Sequence, residues 1–317
     1  MRASVIVATR DRADLLDGCL ACLADQNLPE GAFEVVVVDN GSSDHTPLVA
    51  QRWIDRSSIF RYCTAPVAGL SIARNEGIAA ANGEVVAFVD DDARPESGWL
   101  GALMAAYERW PDVAAVGGPI ESAFLQERPK WLSAGIEHYF GTTNLGDEAR
   151  LLTLGEWLSG SNMSFRKDVI VGIGGFSTDL GRVGSSLLSN EETRVFEQLL
   201  HAGKKVGYEP TARVTHLVHN DRLSIRWLLK RTLAQGRSDF IQDRLGGSLP
   251  TRRRRVRAIG SSTRSALLVG WRANLKQLRD DPRPSVLADS LGRRFRDLGY
   301  AWAALRSLAS RDDRPVR

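Results

Sequence analysis

The stretch VVAFVDDDARP, Val85 to Pro95, sets three adjacent carboxylates, Asp90, Asp91 and Asp92, behind five apolar residues. An apolar run of that length reads as a buried strand. In an open α/β sheet the residues that follow a strand's carboxyl end face the crevice where such folds bind ligands. Three neighbouring carboxylates repel one another, which makes a purely structural role hard to justify. A hard divalent cation, Mg²⁺ or Mn²⁺, takes a few carboxylate oxygens and fills its shell with phosphate oxygens. The triplet therefore implies a metal held against a diphosphate. The competing reading is an acidic turn that caps the next helix.

Two further strand ends carry polar clusters. The first apolar run, Ser4–Ala8, ends at Thr9, Arg10, Asp11 and Arg12, and the second, Phe33–Val38, ends at Asp39-Asn40-Gly41-Ser42-Ser43-Asp44. If the strands are parallel, all three sets reach one sheet edge, and an Asp there can accept a hydrogen bond from a base or ribose. The Asn, Gly and Ser of the second set also fit a turn and helix cap, which accounts for Asp44 but not for Asp39. Neither G-x-G-x-x-G nor G-x-x-x-x-G-K-[ST] occurs, which argues against a dehydrogenase-type dinucleotide site and a P-loop. The diphosphate then needs other counter-charges. Arg74, in GLSIARNEG, is one candidate because a guanidinium fork matches phosphate oxygens. Its alternative is a solvated helix residue.

The elements that must position these residues alternate. Strands are expected at 4–8, 33–38, 59–63, 85–89 and 113–117, with helices at 13–25, 46–55, 71–81 and 98–110 between them. That order means βαβ units and an open, mostly parallel sheet flanked by helices. A short strand at 161–165, a short helix at 169–172 and a glycine-rich loop at 174–188 follow. An amphipathic helix at 190–201 and strands at 205–208 and 212–215 close a body of residues 1–220. Residues 221–317 form a helical, basic extension.

Composition is that of an ordinary globular chain: 317 residues, 43% hydrophobic, 25% charged. The net charge of +4 hides an asymmetry. Residues 220–317 hold 23 Lys/Arg against 9 Asp/Glu, a net +14, and residues 1–219 hold 19 against 29, a net −10. A basic tail on an acidic body points to an anionic partner. The run Thr251–Arg257 contains four consecutive arginines, and Leu267, Leu268, Trp271, Leu275 and Leu278 follow at helical spacing. This pattern fits a helix lying on an anionic membrane, a nucleic-acid contact, or a tail packed on the body. The first sixteen residues are too short and too charged for a signal peptide, and no apolar stretch is long enough to span a bilayer. Cys19 and Cys22 form a C-x-x-C without a second pair, on an apolar helix face, and read as core thiols in a reducing, cytoplasmic setting.

The motifs resemble those of a family 2 glycosyltransferase of the GT-A fold. They are VIVATRDRADLL, VVVVDNGSSD, GLSIARNEGIAAANGE, VVAFVDDDARP, GSNMSFRKDVIVGIGGF and LGRVGSSLLSNEETRVFEQLLHAGKKVGYEPTARVTHLVH. The resemblance covers about residues 3–220 in order. It implies a nucleoside-diphosphate sugar donor, a divalent metal and transfer with inversion, in polysaccharide or glycolipid synthesis. It places Asp39 at the base or ribose, with Thr9, Arg10, Asp11, Arg74 and Asp91 also in the donor site. Asp90 and Asp92 become the acids of the D-x-D motif, Asp92 the direct metal ligand. Gly160-Ser161-Asn162 forms the small-residue segment beside the sugar and acceptor, and His216 lies near metal or diphosphate, with His219 a lesser candidate. His216 also fits a strand-end histidine bonded within the body.

The resemblance also implies that an acid pair, Glu191 and Glu192, supplies the catalytic base, which takes the acceptor hydroxyl's proton. The family uses the second member, here Glu192. Ser189-Asn190-Glu191-Glu192 equally fits a capping box, in which Glu192 bonds back to Ser189 and Glu191 inherits the role. Trp131, Tyr139, Phe140 and Trp157 suit either an acceptor site or core packing. Two other readings remain at this stage: a sugar nucleotidyltransferase, which lacks its expected glycine-rich arginine segment after the first strand, and a basic-tailed nucleic-acid-binding protein.

Overall fold

The computed structural model describes residues 2–29, 31–248, 252–264 and 283–309. The chain divides into two units. One comprises Met1–Ala123, Gly141–Thr178 and Glu191–Leu217, and the other Phe124–Phe140, Asp179–Asn190 and Val218–Arg317.

The first unit is built on alternating strands and helices. In chain order these are β1 Ala3–Thr9, α1 Ala13–Ala24, β2 Phe33–Asp39, α2 Thr46–Arg56, β3 Phe60–Thr64, α3 Leu70–Ala80 and β4 Val85–Phe88. Then come β5 Ala93–Pro95, α4 Trp99–Arg109, β6 Val113–Gly117, β7 Ile120–Phe124, β8 Arg150–Leu151, β9 Met163–Arg166 and α5 Lys167–Gly172. Helix α6 Glu191–His201 precedes β10 Lys205–Tyr208 and β11 Val214–Val218. Eight strands form one sheet in the order β3-β2-β1-β4-β9-β6-β10-β8. All seven residues of β2 (FEVVVVD) are buried, as expected of a central strand covered on both faces.

Strands β1, β2, β3 and β4 run parallel, in register Thr9 to Asp39 and Asp39 to Thr64. Order 3-2-1-4 reverses direction between β1 and β4, and such a switch point opens the crevice where α/β sheets take ligands. Thr9–Arg12 leave β1 there and Asp90–Asp92 leave β4. Strand β9 runs antiparallel between β4 and β6, so the sheet is mixed, which the four residues MSFR give no means of telling. A second, three-stranded sheet, β5-β11-β7, lies beyond. The strand expected at 212–215 begins later and runs to Val218, because β11 pairs with β5, His216 opposite Ala93. Cys19, Cys22 and Cys63 are free thiols, with Cys19 in the core.

The second unit is helical: a 3₁₀ helix Ala134–Phe140, α7 Ile225–Leu245, α8 Arg252–Arg264 and α9 Pro284–Ala309. Ser224 caps α7 by accepting from the Trp227 N–H at 3.1 Å. Trp131, Tyr139, Phe140 and Trp227 share a small core with Leu132, Ile136 and Leu228, so three of the aromatics weighed for the acceptor site are packing residues. The apolar positions 267–278 lie outside the described residues. Helices α7 and α9 touch backbone to backbone, since a Cβ at Gly236 would overlap the carbonyl oxygen of Arg296, and one at Gly299 that of Leu233. Gly236→Ala is therefore expected to push the helices apart and to cost about 1–3 kcal/mol, the usual scale of overpacking. Urea unfolding of the two proteins measures it.

Candidate active site

The first two strand ends are stitched together by side-chain-to-backbone bonds. Asp11 adopts φ 51°, and its carboxylate accepts from the Ser43 backbone N–H at 2.6 Å and hydroxyl at 3.0 Å. Those bonds hold its carboxyl below the usual range. Asp44 accepts from the first N–H groups of both following helices, Ala13 at 3.1 Å and Thr46 at 2.9 Å. Asp39 is buried, accepting from the Ser42 N–H and the Tyr62 hydroxyl, both at 2.8 Å. Burial and that bond push Tyr62 up to about 12. Asn40 donates to Val67 O at 2.8 Å and accepts from the Gly69 N–H at 2.7 Å. Gly69 turns the chain into α3 at φ 153°. Arg10 is exposed, 3.6 Å from Asp11.

The aspartate triplet divides its oxygens among four elements. Asp91 accepts from Thr9 Oγ1 at 2.8 Å and from Arg12 Nη1 at 2.8 Å. The same Arg12 nitrogen reaches Asp92 Oδ2 at 2.9 Å. Asp92 Oδ1 lies 3.2 Å from His216 Nε2, which the β5–β11 pairing delivers. Asp90 is the most open of the three, its side chain 32% exposed. It accepts from Arg74 Nη2 at 3.1 Å and from the Ser161 hydroxyl. Burial raises the Asp91 carboxyl to about 6 against the pull of Arg12, whereas Arg74 holds Asp90 low.

Arg74 is not a solvated helix residue: it is 2% exposed. Its second nitrogen, Nη1, donates to Glu191 Oε1 at 2.9 Å, so one guanidinium joins Asp90 to the start of α6. Gly160 makes room for it, because a Cβ there would lie 2.6 Å from Arg74 Nη2. Phe176 lies under it at 5.5 Å, pinned by two bonds between its backbone and the Asn75 side chain, 2.8 and 2.9 Å. Truncating one partner of a buried pair strands the other charge. Arg74→Met is expected to lower stability by about 3–5 kcal/mol, and Arg74→Met/Glu191→Met to recover part of that loss. Chemical denaturation of the cycle tests this, and additive losses would contradict the coupling.

Asn162 is fully buried. It accepts from Trp99 Nε1 at 2.8 Å and donates to Pro119 O at 2.9 Å and Ala212 O at 2.7 Å. Its amide ties α4, β7 and the approach to β11 together behind the site, and its neighbour Ser161 is the one that reaches Asp90. The capping box does not form. Helix α6 begins at Glu191, Asn190 has φ 74°, and the Ser189 N–H goes to Ser238 Oγ at 2.9 Å. Glu191 is 4% exposed, and its Oε2 is buried without a hydrogen-bond partner among the described residues. Glu192 is more exposed, and its charge also raises Arg74's pKa.

Sequence reasoning gave no role of their own to Arg12 or Tyr62. Arg12 had a signal, an arginine immediately past β1, but its partner carboxylates lie 79 and 80 residues away. Among the described residues no group of three or more His, Cys, Asp or Glu is arranged as a ready metal cage. Asp92 and His216 offer one oxygen and one nitrogen side by side, a donor pair suited to Mn²⁺ if phosphate and water supply the rest. His216 Nδ1 is buried without a hydrogen-bond partner among the described residues. Gly141, at φ 102°, leaves the space beside it, since a Cβ would come within 3.0 Å of that nitrogen.

The chain is 29% identical over 251 residues to a glucosyl-dolichyl phosphate glucuronosyltransferase of Haloferax volcanii, covering 77% of this chain and 78% of that one. It is 29% identical over 242 residues to the succinoglycan biosynthesis protein ExoM of Rhizobium meliloti, covering 73% and 72%. The fold matches mannosyltransferase PcManGT from Pyrobaculum calidifontis, solved in complex with GDP-Man and Mn²⁺, at TM-score 0.55 and 20% identity over 99% of this chain and 77% of that one. It matches S. aureus TarS 1-349 at TM-score 0.54 and 17% identity over 98% and 92%. The profile of glycosyl transferase family 2 spans residues 4–170, more than half of the chain. With an α/β sheet of GT-A type and its acids at the switch point, the chain belongs to glycosyl transferase family 2 and is a glycosyltransferase.

Proposed function

We propose that this glycosyltransferase of glycan or glycolipid synthesis moves a sugar from a nucleoside-diphosphate sugar to an acceptor hydroxyl by direct displacement with inversion. The observation that carries the reading is the Arg74 bridge, which sets the aspartate triplet and the acid pair of α6 around one point. A leaving diphosphate and a base are the two things such a displacement needs, and the bridge couples the elements that supply them.

In this reading Asp39 and the Thr9–Asp11 turn hold the nucleoside. Asp92 and His216 would hold a divalent cation, with Asp90 beside them, and the cation would supply charge neutralisation to the departing diphosphate. Glu192 accepts the proton of the acceptor hydroxyl as the glycosidic bond forms. Glu191 keeps Arg74 in place through that contact.

The acceptor is a lipid-linked or nascent glycan, and the basic second unit meets an anionic membrane surface. Among the described residues no helix is long and apolar enough to cross a membrane. Proton NMR of the first product formed from an α-linked donor tests the displacement. A β-linked product is expected, and an α-linked one would overturn direct inversion.

A further inference from the structure

Helix α7 carries a stripe of one sign. Arg226, Lys230, Leu233 and Arg237 recur at steps of four, three and four residues, and Ile241 and Arg244 continue the series. Such steps stack on one helix face, and 226 to 244 spans roughly 27 Å at the α-helical rise. No carboxylate occupies the stripe. Arg226 and Lys230 are exposed, and Leu233 is 37% exposed. Helix α9 extends the face sideways. The Arg237 guanidinium lies 4.8 Å over the Trp302 ring, and Arg306 lies over the same ring at 4.5 Å. Trp302 is 42% exposed and its neighbour Leu305 57%.

A solvated helix face has no use for an exposed Trp and two exposed Leu among cations. A bilayer interface uses both. Indole settles at headgroup depth, leucine enters the acyl boundary, and arginine stems lie along the apolar layer with their heads at lipid phosphate. A nucleic acid would reward the cations but not the leucines. It would want a bare ring for stacking, and two guanidiniums already cover this one.

We propose that the face formed by this α7 stripe with Trp302, Leu305 and Arg306 of α9 docks on an anionic lipid bilayer. The proposal rests on the membrane reading above and places the contact on folded helices. The run at 252–255 is not required for it. Each basic residue near such a surface contributes roughly fivefold in partitioning.

The test uses the full chain and phosphatidylcholine vesicles with and without phosphatidylglycerol, at low and high salt. Wild type is expected to sediment only with phosphatidylglycerol present, and to be released by salt. Arg226→Ser/Lys230→Ser/Arg237→Ser should weaken binding on the order of 100-fold. Trp302→Ser/Leu305→Ser should weaken it at both salt levels, since apolar contact is not screened. Circular dichroism and nucleoside-diphosphate release on a soluble acceptor, expected to match wild type, report on the fold separately. Loss of binding only on replacing Arg252, Arg253, Arg254 and Arg255 would overturn the assigned face while leaving membrane attachment standing. Wild type remaining in the supernatant at low salt overturns both. Tighter binding to an oligonucleotide than to vesicles, or a concentration-dependent dimer that the same substitutions abolish, would assign the face to nucleic acid or to a second copy instead.

Discussion

Asp92→Ala is expected to abolish sugar transfer, with turnover down by about 10³-fold or more, the scale of several kcal/mol of lost charge stabilisation. Donor affinity should fall with it. Asp92 is the one carboxylate of the triplet in contact with His216, and its oxygens face both His216 and Arg12. Removing it leaves Arg12 still paired with Asp91 at 2.8 Å, so the fold should survive. Calorimetric titration of Mn²⁺ and of a donor into the variant separates the two losses. Wild-type donor binding by Asp92→Ala would mean that the diphosphate is neutralised elsewhere.

The second large effect concerns the acid pair, and the structure gives its members different work. Glu191 is bonded to Arg74, and Glu192 is the more exposed of the two. Glu192→Gln is nearly isosteric and deletes the proton acceptor alone. A loss of roughly 10²–10⁴ in turnover with donor affinity unchanged is expected. Glu191→Gln should instead lower stability, because Arg74 loses a buried counter-charge. Steady-state kinetics paired with thermal unfolding distinguishes the two. If Glu191→Gln is stable but inactive and Glu192→Gln stays active, the roles are exchanged.

Much of the frame was legible in the sequence because it rests on burial. The runs SVIVA, FEVVVV and VVAFV are buried on both faces and can only be central strands, and their polar continuations had to meet at one edge. What escaped was direction and partner choice. Strand β9 pairs antiparallel to both neighbours, and nothing in MSFR encodes that. Strand β5 is three residues ending in proline, yet its pairing with β11 sets where His216 lands.

Arg74 is instructive because its partners, not its burial, were hidden. Its position on α3 shares a face with Ser71, Gly77 and Ile78, all buried, so helical spacing already pointed it inward. A charged residue on that face needs buried carboxylates, and the sequence holds them at Asp90 and Glu191, 16 and 117 residues away. Asn162 shows the converse. A polar residue in a motif invites a ligand role, but the three hydrogen bonds of its side chain go to Trp99, Pro119 and Ala212. A motif gives the residue types at a site, and only the packed neighbours tell which atoms remain for a ligand.

The central claim is metal-assisted cleavage of a nucleoside-diphosphate sugar at the Asp90–Asp92 site. Release of nucleoside diphosphate, followed across a panel of donor sugars with Mn²⁺ and with excess chelator, tests it most directly. The account predicts release from one or a few donors that stops with chelator, returns on adding Mn²⁺ back, and is absent in Asp92→Ala. Full release in excess chelator, or by Asp92→Ala, would contradict it.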